Sequence, residues 1–176
     1  MRVLVMYESM FGNSERVARA VAEGLGAVAE VAVRDVTVAL AGDVPIGIDL
    51  LVVGGPTHAL SMSRPSTREE AIRQGAEHGL ASRGLREWLE GLPADLHRLP
   101  YAVFDTRVSR ARRLPGSAAR SASRILRRHH GIPVATPESF FVEDVEGPLG
   151  EDELGRARSW GAQIGSVVLR DHAPAT

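Results

Sequence analysis

The chain has 176 residues, of which 44% are hydrophobic and 24% charged, and its formal net charge is -1. This length suits one domain with a substantial hydrophobic core, and the composition is typical of a globular protein. A net charge so close to zero argues against bulk electrostatic binding to nucleic acid or to a membrane surface. We therefore expect no nucleic-acid partner.

Two residue types are missing from the sequence. There is no cysteine, and all 21 basic residues are arginine. The first absence excludes disulfides, a thiol nucleophile and cysteine-ligated iron–sulfur clusters. The second excludes a Schiff-base lysine and the lysine of a Walker-A loop. The start of the chain does not resemble a signal peptide, and the apolar runs are too short to span a membrane. We expect a cytoplasmic protein with one domain over residues 1–170 and a frayed tail over 171–176.

The first half of the chain alternates between short apolar runs and helical patterns. Arg2–Tyr7 predicts a strand buried on both faces, and the residues after Gly12-Asn13-Ser14 predict a helix. A half-exposed second strand is expected within Val28–Val36. Asp49–Gly54 predicts a third strand, which Pro56 should end because proline donates no hydrogen bond to a ladder.

The second half continues the alternation. Ser61–Ala81 is polar and predicts a loop with a helical piece near Thr67–Gln74. The remaining elements begin with a helix that has the stripe Leu85, Trp88, Leu89 and Leu92, a fourth strand at Tyr101–Phe104 and a helix from Ala118 to about Gly131. A fifth strand is expected at Ser139–Val142, with Pro133–Thr136 as its first half in one interpretation, and a last helix runs from Leu154 to Val168. This alternation predicts an α/β fold with a parallel sheet and helices on both faces.

The segment Glu8–Ser14 has the features of a phosphate-binding loop. Backbone N–H groups at a helix N-terminus converge on an anion, and the helix dipole adds to the attraction. Ser9 and Ser14 would add hydroxyl donors, while Gly12 permits a tight turn beside the ligand. The alternative interpretation is an ordinary helix start with Asn13 or Ser14 as the N-cap.

Two further segments follow predicted strands. Gly54–Ala59 contains two glycines that permit close backbone approach and a proline that stiffens the turn, although an ordinary strand-ending loop would look the same. Asp105-Thr106-Arg107 leads into an arginine-rich loop. Asp105 at a strand end is also typical of a residue that forms a turn.

These motifs resemble those of a known family. Ser9-Met-Phe-Gly-Asn-Ser14 resembles the T-x-T-G-N-T phosphate loop of flavodoxins, and is still more similar to the S-M-Y-G-H loop of flavodoxin-like quinone reductases. Gly55-Pro56-Thr57-His58 resembles the G-x-P-T loop that faces the flavin ring in those relatives. The resemblance implies a flavodoxin-like three-layer sandwich whose five-stranded parallel sheet has the order 2-1-3-4-5. In that order the loops after strands one, three and four border one crevice.

The resemblance also implies FMN as the cofactor. The residues that would hold its phosphate are Ser9, Met10, Phe11, Gly12, Asn13 and Ser14. Those that would border the flavin ring are Pro56, Thr57, His58 and Ala59 on one side, with Asp105, Thr106 and Arg107 on the other side or at the pyrimidine edge. No catalytic acid or base is needed. No metal site is expected either, because His129 and His130 are adjacent and point in different directions on a helix.

The function implied is that of an FMN-binding redox protein that passes electrons through the flavin to or from another protein. One alternative is an NAD(P)H-dependent flavin or quinone reductase, and another is a binding module that no longer holds FMN. The oligomeric state stays open.

The sequence departs from the electron-carrier flavodoxins in two ways. The loops after strands three and four lack the Trp and Tyr that usually sandwich the ring. Arginines at 107, 110, 112 and 113 also replace the usual acidic surroundings. Positive charge stabilises an anionic reduced flavin, so we expect a less negative potential than that of a carrier flavodoxin. For the arginines of the next helix, a solvated face is favoured over a binding site for a nucleotide, an acidic partner or nucleic acid.

Overall fold

The computed structural model describes residues 1–172, with side chains described for residues 1–170. The strands are β1 (Arg2–Tyr7), β2 (Glu30–Asp35), β3 (Leu50–His58), β4 (Ser61–Met62), β5 (Pro100–Val108), β6 (Ile132–Pro133) and β7 (Glu138–Val142). The helices are α1 (Asn13–Leu25), α2 (Pro65–Arg73), α3 (Leu85–Glu90), α4 (Ala118–Arg128) and α5 (Glu153–His172), with a 3₁₀ turn at Ser109–Ala111. Most of the expected frayed tail, from residue 173 onward, lies outside the described residues.

The parallel sheet has the order β2-β1-β3-β5, and its last position is occupied by β6 and β7, which both pair in parallel with β5. This confirms the predicted order 2-1-3-4-5. The fifth strand is interrupted between Pro133 and Pro137, and a residue without an N–H interrupts a hydrogen-bond ladder.

The expectation that Pro56 ends the third strand is wrong, since β3 continues to His58. Glu8 N donates to Gly54 O at 3.0 Å, and this is the last backbone bond between the two segments. Pro56, two residues later, faces the same side, where β1 has already ended and no neighbour requires an N–H. On its other side β3 still pairs with β5, where Pro56 lies opposite Thr106.

Past His58 the chain turns back as β4, which pairs antiparallel with the end of β3. The turn is formed by Ala59 and Leu60, both in the left-handed region with φ of 46° and 63°. The predicted helical piece within Ser61–Ala81 is α2, which spans Pro65–Arg73.

Helices cover both faces of the sheet. On one face α1 and α5 pack around a cluster that includes Val17, Phe104 and Trp160. On the other face α3 and α4 pack around Trp88 and Leu126, and Trp88 is only 1% exposed, as its helical stripe predicts. Both faces are therefore closed, and the carboxyl ends of β1, β3 and β5 lead into loops at one edge. Over residues 1–172, no helix is both long and apolar enough to cross a bilayer.

Candidate functional site

A cavity of about 460 Å³ lies at the carboxyl edge of the sheet, within the size range of small-molecule and cofactor sites. The three predicted segments meet there. The predicted site residues that line it are Ser9, Met10, Phe11, Asn13, Ser14, Pro56, Thr57, His58, Ala59, Thr106 and Arg107. Gly12 and Asp105 do not line the cavity, and each has a structural role beside it.

The N-terminus of α1 is open toward a ligand. Its N-cap is Gly12, whose φ of 80° lies in the left-handed region that favours glycine, and no side chain caps the helix. Arg16 N donates to Gly12 O, but the N–H groups of Asn13, Ser14 and Glu15 donate to no acceptor in the described chain. The alternative of an ordinary cap by Asn13 or Ser14 therefore does not hold. Three free donors and the positive end of the helix dipole suit an anion.

The N-terminus of α4 borders the same edge, but side chains of the protein cap it. Its first three N–H groups all donate to side-chain oxygens: Ala118 N to Thr57 Oγ1 at 2.8 Å, Ala119 N to Asp105 Oδ2 at 2.9 Å, and Arg120 N to Ser117 Oγ at 3.3 Å. This places Asp105 as a buried helix-capping residue behind the cavity wall. Of the two helix starts, only α1 can accept a ligand anion through its backbone.

Polar side chains around the N-terminus of α1 also favour an anion at this site. Ser9 is 2% exposed and lines the cavity, yet its Oγ has no hydrogen-bond partner in the described chain. Ser14 Oγ and Thr106 Oγ1 share a hydrogen bond of 2.7 Å, which joins α1 to the end of β5. Asn13 Nδ2 donates to Glu146 O at 3.0 Å, which holds the loop after β7 against the helix start. A buried hydroxyl without a partner is costly unless a ligand supplies one.

Helix α2 forms a wall of the cavity that the motifs did not identify. Residues of this helix and its C-terminal end that line the cavity are Ser66, Thr67, Glu70, Ala71, Arg73 and Gln74. The sequence motifs give no signal for these residues, because Ser61–Ala81 predicts only a polar loop with a helical piece. Val142 and Val145, at and after the end of β7, line the cavity as well. Neither belongs to a recognisable motif.

A buried arginine anchors α2. Arg68 is 0% exposed, and it donates to Ser63 Oγ at 2.7 Å and to Ala81 O at 2.9 Å. Its guanidinium also forms an ion pair with Glu87 at 3.0 Å. The buried Glu8 carboxylate accepts from Leu85 N at 2.7 Å, and burial raises the pKa of Glu8. The Arg68–Glu87 pair therefore ties α2 to α3, and Glu8 ties the end of β1 to the start of α3.

Two residues at strand ends, His58 of β3 and Arg107 of β5, contribute to the electrostatics of the cavity. Burial lowers the pKa of His58, and the nearby Arg68 charge lowers it further, so the imidazole is neutral at pH 7. Arg107 is buried on the opposite wall. The remaining arginines of its loop do not line the cavity: Arg110 pairs with Asp144 at 3.1 Å, and the guanidinium of Arg112 stacks 4.2 Å from the centre of the Phe141 ring.

The solved structures that this chain resembles include flavodoxins and flavodoxin-like proteins. Flavodoxin 2 from Bacillus cereus matches with a TM-score of 0.68 and 17% identity, covering 97% of this chain and 99% of that one. A flavodoxin WrbA-like protein from Agrobacterium tumefaciens matches with a TM-score of 0.62 and 18% identity, covering 98% and 99%. An archaeal flavodoxin matches with a TM-score of 0.63 and 15% identity, covering 96% and 99%.

The sequence comparisons add nothing to this: no family model matches the chain, and no curated protein matches it. Identities of 15–18% establish a shared fold and not a shared ligand. The chain has a flavodoxin-like fold.

Proposed function

We propose that this protein binds FMN in the cavity at the carboxyl edge of its sheet and transfers electrons through it. The observation that carries the proposal is the open N-terminus of α1, where three backbone N–H groups and the buried Ser9 hydroxyl lack partners in the described chain. A phosphate monoester supplies acceptors for all of them. Such a group is also the one charged part of FMN.

The residues present fit the rest of the cofactor. Ser9 to Ser14 would hold the phosphate, and Pro56 to Ala59 together with Thr106 and Arg107 would border the ring. Wall residues with apolar or flat surfaces include Met10, Phe11, Val108, Val142 and Val145. These side chains offer contact area where the Trp and Tyr of carrier flavodoxins are missing. Bound FMN would supply the redox chemistry, while the protein would position it and set its potential.

The test is a titration of the purified protein with FMN, followed by flavin fluorescence, alongside a titration with riboflavin, which lacks the phosphate. We expect saturable quenching by the protein with FMN and much weaker binding of riboflavin. Absence of quenching at micromolar FMN would contradict the proposal and favour a binding module without flavin.

A matched pair of variants separates the phosphate site from general effects on folding. Ser14→Asp puts a carboxylate at the open start of α1, where it suits the helix dipole but repels a phosphate. Ser117→Asp makes the same change at the capped start of α4, where Asp is a good N-cap. We expect Ser14→Asp to lose FMN binding and Ser117→Asp to keep it. Equal losses of FMN binding in both variants would contradict the assignment of the phosphate to the N-terminus of α1.

Once binding is established, the electron donor distinguishes carrier from reductase. NADH or NADPH is mixed anaerobically with the FMN-loaded protein, and the flavin absorbance is followed. Reduction that needs a separate reductase supports the carrier function proposed here. Direct and rapid reduction by the nucleotide would instead favour the NAD(P)H-dependent flavin or quinone reductase.

A further inference from the structure

Arg107 carries a buried positive charge that forms no ion pair with a carboxylate of residues 1–170. The residue is 7% exposed and lines the cavity. Its Nη2 donates to the carbonyl oxygens of Ala111 and Leu114, whereas Nε and Nη1 donate to no acceptor among residues 1–170. No carboxylate in that range forms an ion pair with it. A buried charge without a partner is costly, so a site that retains one is suited to an anion.

The charge faces away from the open start of α1. Neighbouring side chains of a strand point to opposite faces of the sheet. Thr106 bonds to Ser14 of α1, so Arg107 lies on the other face, where its Nη2 holds the loop 109–115. That loop continues to Gly116, which approaches the carbonyl oxygen of Leu60 in the β3–β4 turn. The guanidinium thus belongs to the end of the cavity assigned to the flavin ring.

One carboxylate shares this face of β5. Asp105 lies two residues before Arg107, and its Oδ2 accepts the N–H of Ala119. It forms no ion pair with Arg107 within the described chain, so it offsets the positive charge only through space. The exposed arginines of the loop contribute less, because charges in water are screened.

We propose that Arg107 is the residue that makes this site favour the reduced flavin ring over the oxidised one. This inference rests on the proposed function. Two electrons from an external reductant and one proton convert the oxidised ring into an anionic reduced ring. A buried cation at the ring end of the cavity stabilises that negative charge, and it therefore raises the midpoint potential of bound FMN. Of the four arginines from 107 to 113, Arg107 at the end of β5 lines the cavity and the other three do not.

The test measures the two-electron midpoint potential of bound FMN by equilibration with reference dyes in wild type and three variants. Arg107→Gln removes the charge and, because the side chain is shorter, also the Nη2 bonds to the loop carbonyls. Arg107→Lys keeps the charge. Arg113→Gln removes an exposed charge from the same loop and serves as the matched control. Thermal unfolding of each variant shows whether the loop contacts of Arg107 matter for folding.

We expect Arg107→Gln to reduce the preference for reduced over oxidised FMN by about tenfold, which lowers the potential by about 30 mV for a two-electron couple. Arg107→Lys should retain most of the wild-type potential, and Arg113→Gln should leave it unchanged. Equal shifts of the midpoint potential in Arg107→Gln and Arg113→Gln would overturn the inference, because the potential would then depend on the total positive charge of this region and not on Arg107.

A comparison of FMN and riboflavin affinities shows whether Arg107 acts on the phosphate or on the ring. If Arg107→Gln weakens FMN binding while leaving riboflavin affinity and the potential unchanged, Arg107 serves the phosphate and the inference is wrong. If the wild-type protein binds neither FMN nor riboflavin, the proposed function fails and the inference falls with it. Binding with an unaltered potential in Arg107→Gln refutes the inference alone.

Discussion

Ser9→Ala tests whether the loop after β1 is built for a ligand or for the fold. Ser9 is buried, and its hydroxyl has no hydrogen-bond partner in the described chain. A serine that served only the fold would be bonded, as Ser123 is, whose Oγ lies 2.9 Å from the hydroxyl oxygen of Tyr101. The two buried serines therefore lead to opposite expectations when each is replaced by alanine.

The magnitudes follow from what each hydroxyl contacts. A hydrogen bond to a charged acceptor such as phosphate contributes about 1.5 kcal/mol or more, so Ser9→Ala should weaken FMN binding by roughly tenfold. The free energy of unfolding of the flavin-free protein should stay the same or rise slightly, because a buried group without a partner is removed. Ser123→Ala breaks an existing buried bond, and it should lower the free energy of unfolding by about 1 kcal/mol without changing FMN affinity.

The assay combines urea unfolding of the flavin-free proteins with titrations by FMN and by riboflavin. Riboflavin affinity should be unchanged by Ser9→Ala, because the lost contact is to the phosphate. A Ser9→Ala protein that is destabilised by more than about 1 kcal/mol, with FMN affinity intact, would show that Ser9 supports the fold and would refute the reasoning.

Three other substitutions test the supports around the cavity. Burial raises the pKa of Glu8 above its ordinary value of 4.5, so the folded protein holds this proton more tightly than the unfolded one. Wild type should therefore lose stability relative to Glu8→Gln as the pH rises from 4.5 to the raised pKa, and parallel urea-stability curves would contradict this. Arg68→Met removes the donor to Ser63 Oγ and Ala81 O and the ion-pair partner of Glu87, and it should lower the free energy of unfolding by about 2 kcal/mol in urea, whereas a loss below about 1 kcal/mol would mean that other contacts hold α2. Asp105→Ala removes the acceptor of Ala119 N and should cost about 1–2 kcal/mol in thermal unfolding, and an unchanged stability would argue against its capping role.

The sheet could be predicted from the sequence because its strands are short apolar runs separated by turn residues. Runs such as Arg2–Tyr7 and Asp49–Gly54 are buried on both faces, which is the environment that a continuous hydrophobic run indicates. Pro56 does not end β3, because β3 does not have the same two neighbours along its whole length. The pairing of β3 changes after Gly54, and a rule based on local sequence cannot register that change.

Helix α2 could not be placed over the cavity from the sequence. Its buried side chains are Arg68 and Ala71, so it shows no apolar stripe, and an arginine is normally counted as a surface residue. Arg68 is buried because Ser63, Ala81 and Glu87 supply its partners. Such pairing depends on contacts from other parts of the chain, which the periodicity of a single segment does not contain.

The two helix starts at the cavity show why local motifs and three-dimensional contacts must be combined. Both α1 and α4 follow a strand of the sheet and begin beside polar residues, so their sequences alone allow either a cap or an anion site at each. At α4 the cap is completed by Thr57 and Asp105, residues distant in sequence. At α1 the N-cap is Gly12, and no side chain accepts a hydrogen bond from the first N–H groups of the helix. Glycine at an N-cap is only about a few tenths of a kcal/mol less favourable than Ser, Thr, Asn or Asp, so α1 forms without a capping side chain and its first N–H groups stay free for a bound anion. The missing cap at α1, rather than the serines around it, is therefore the feature that most favours a phosphate ligand.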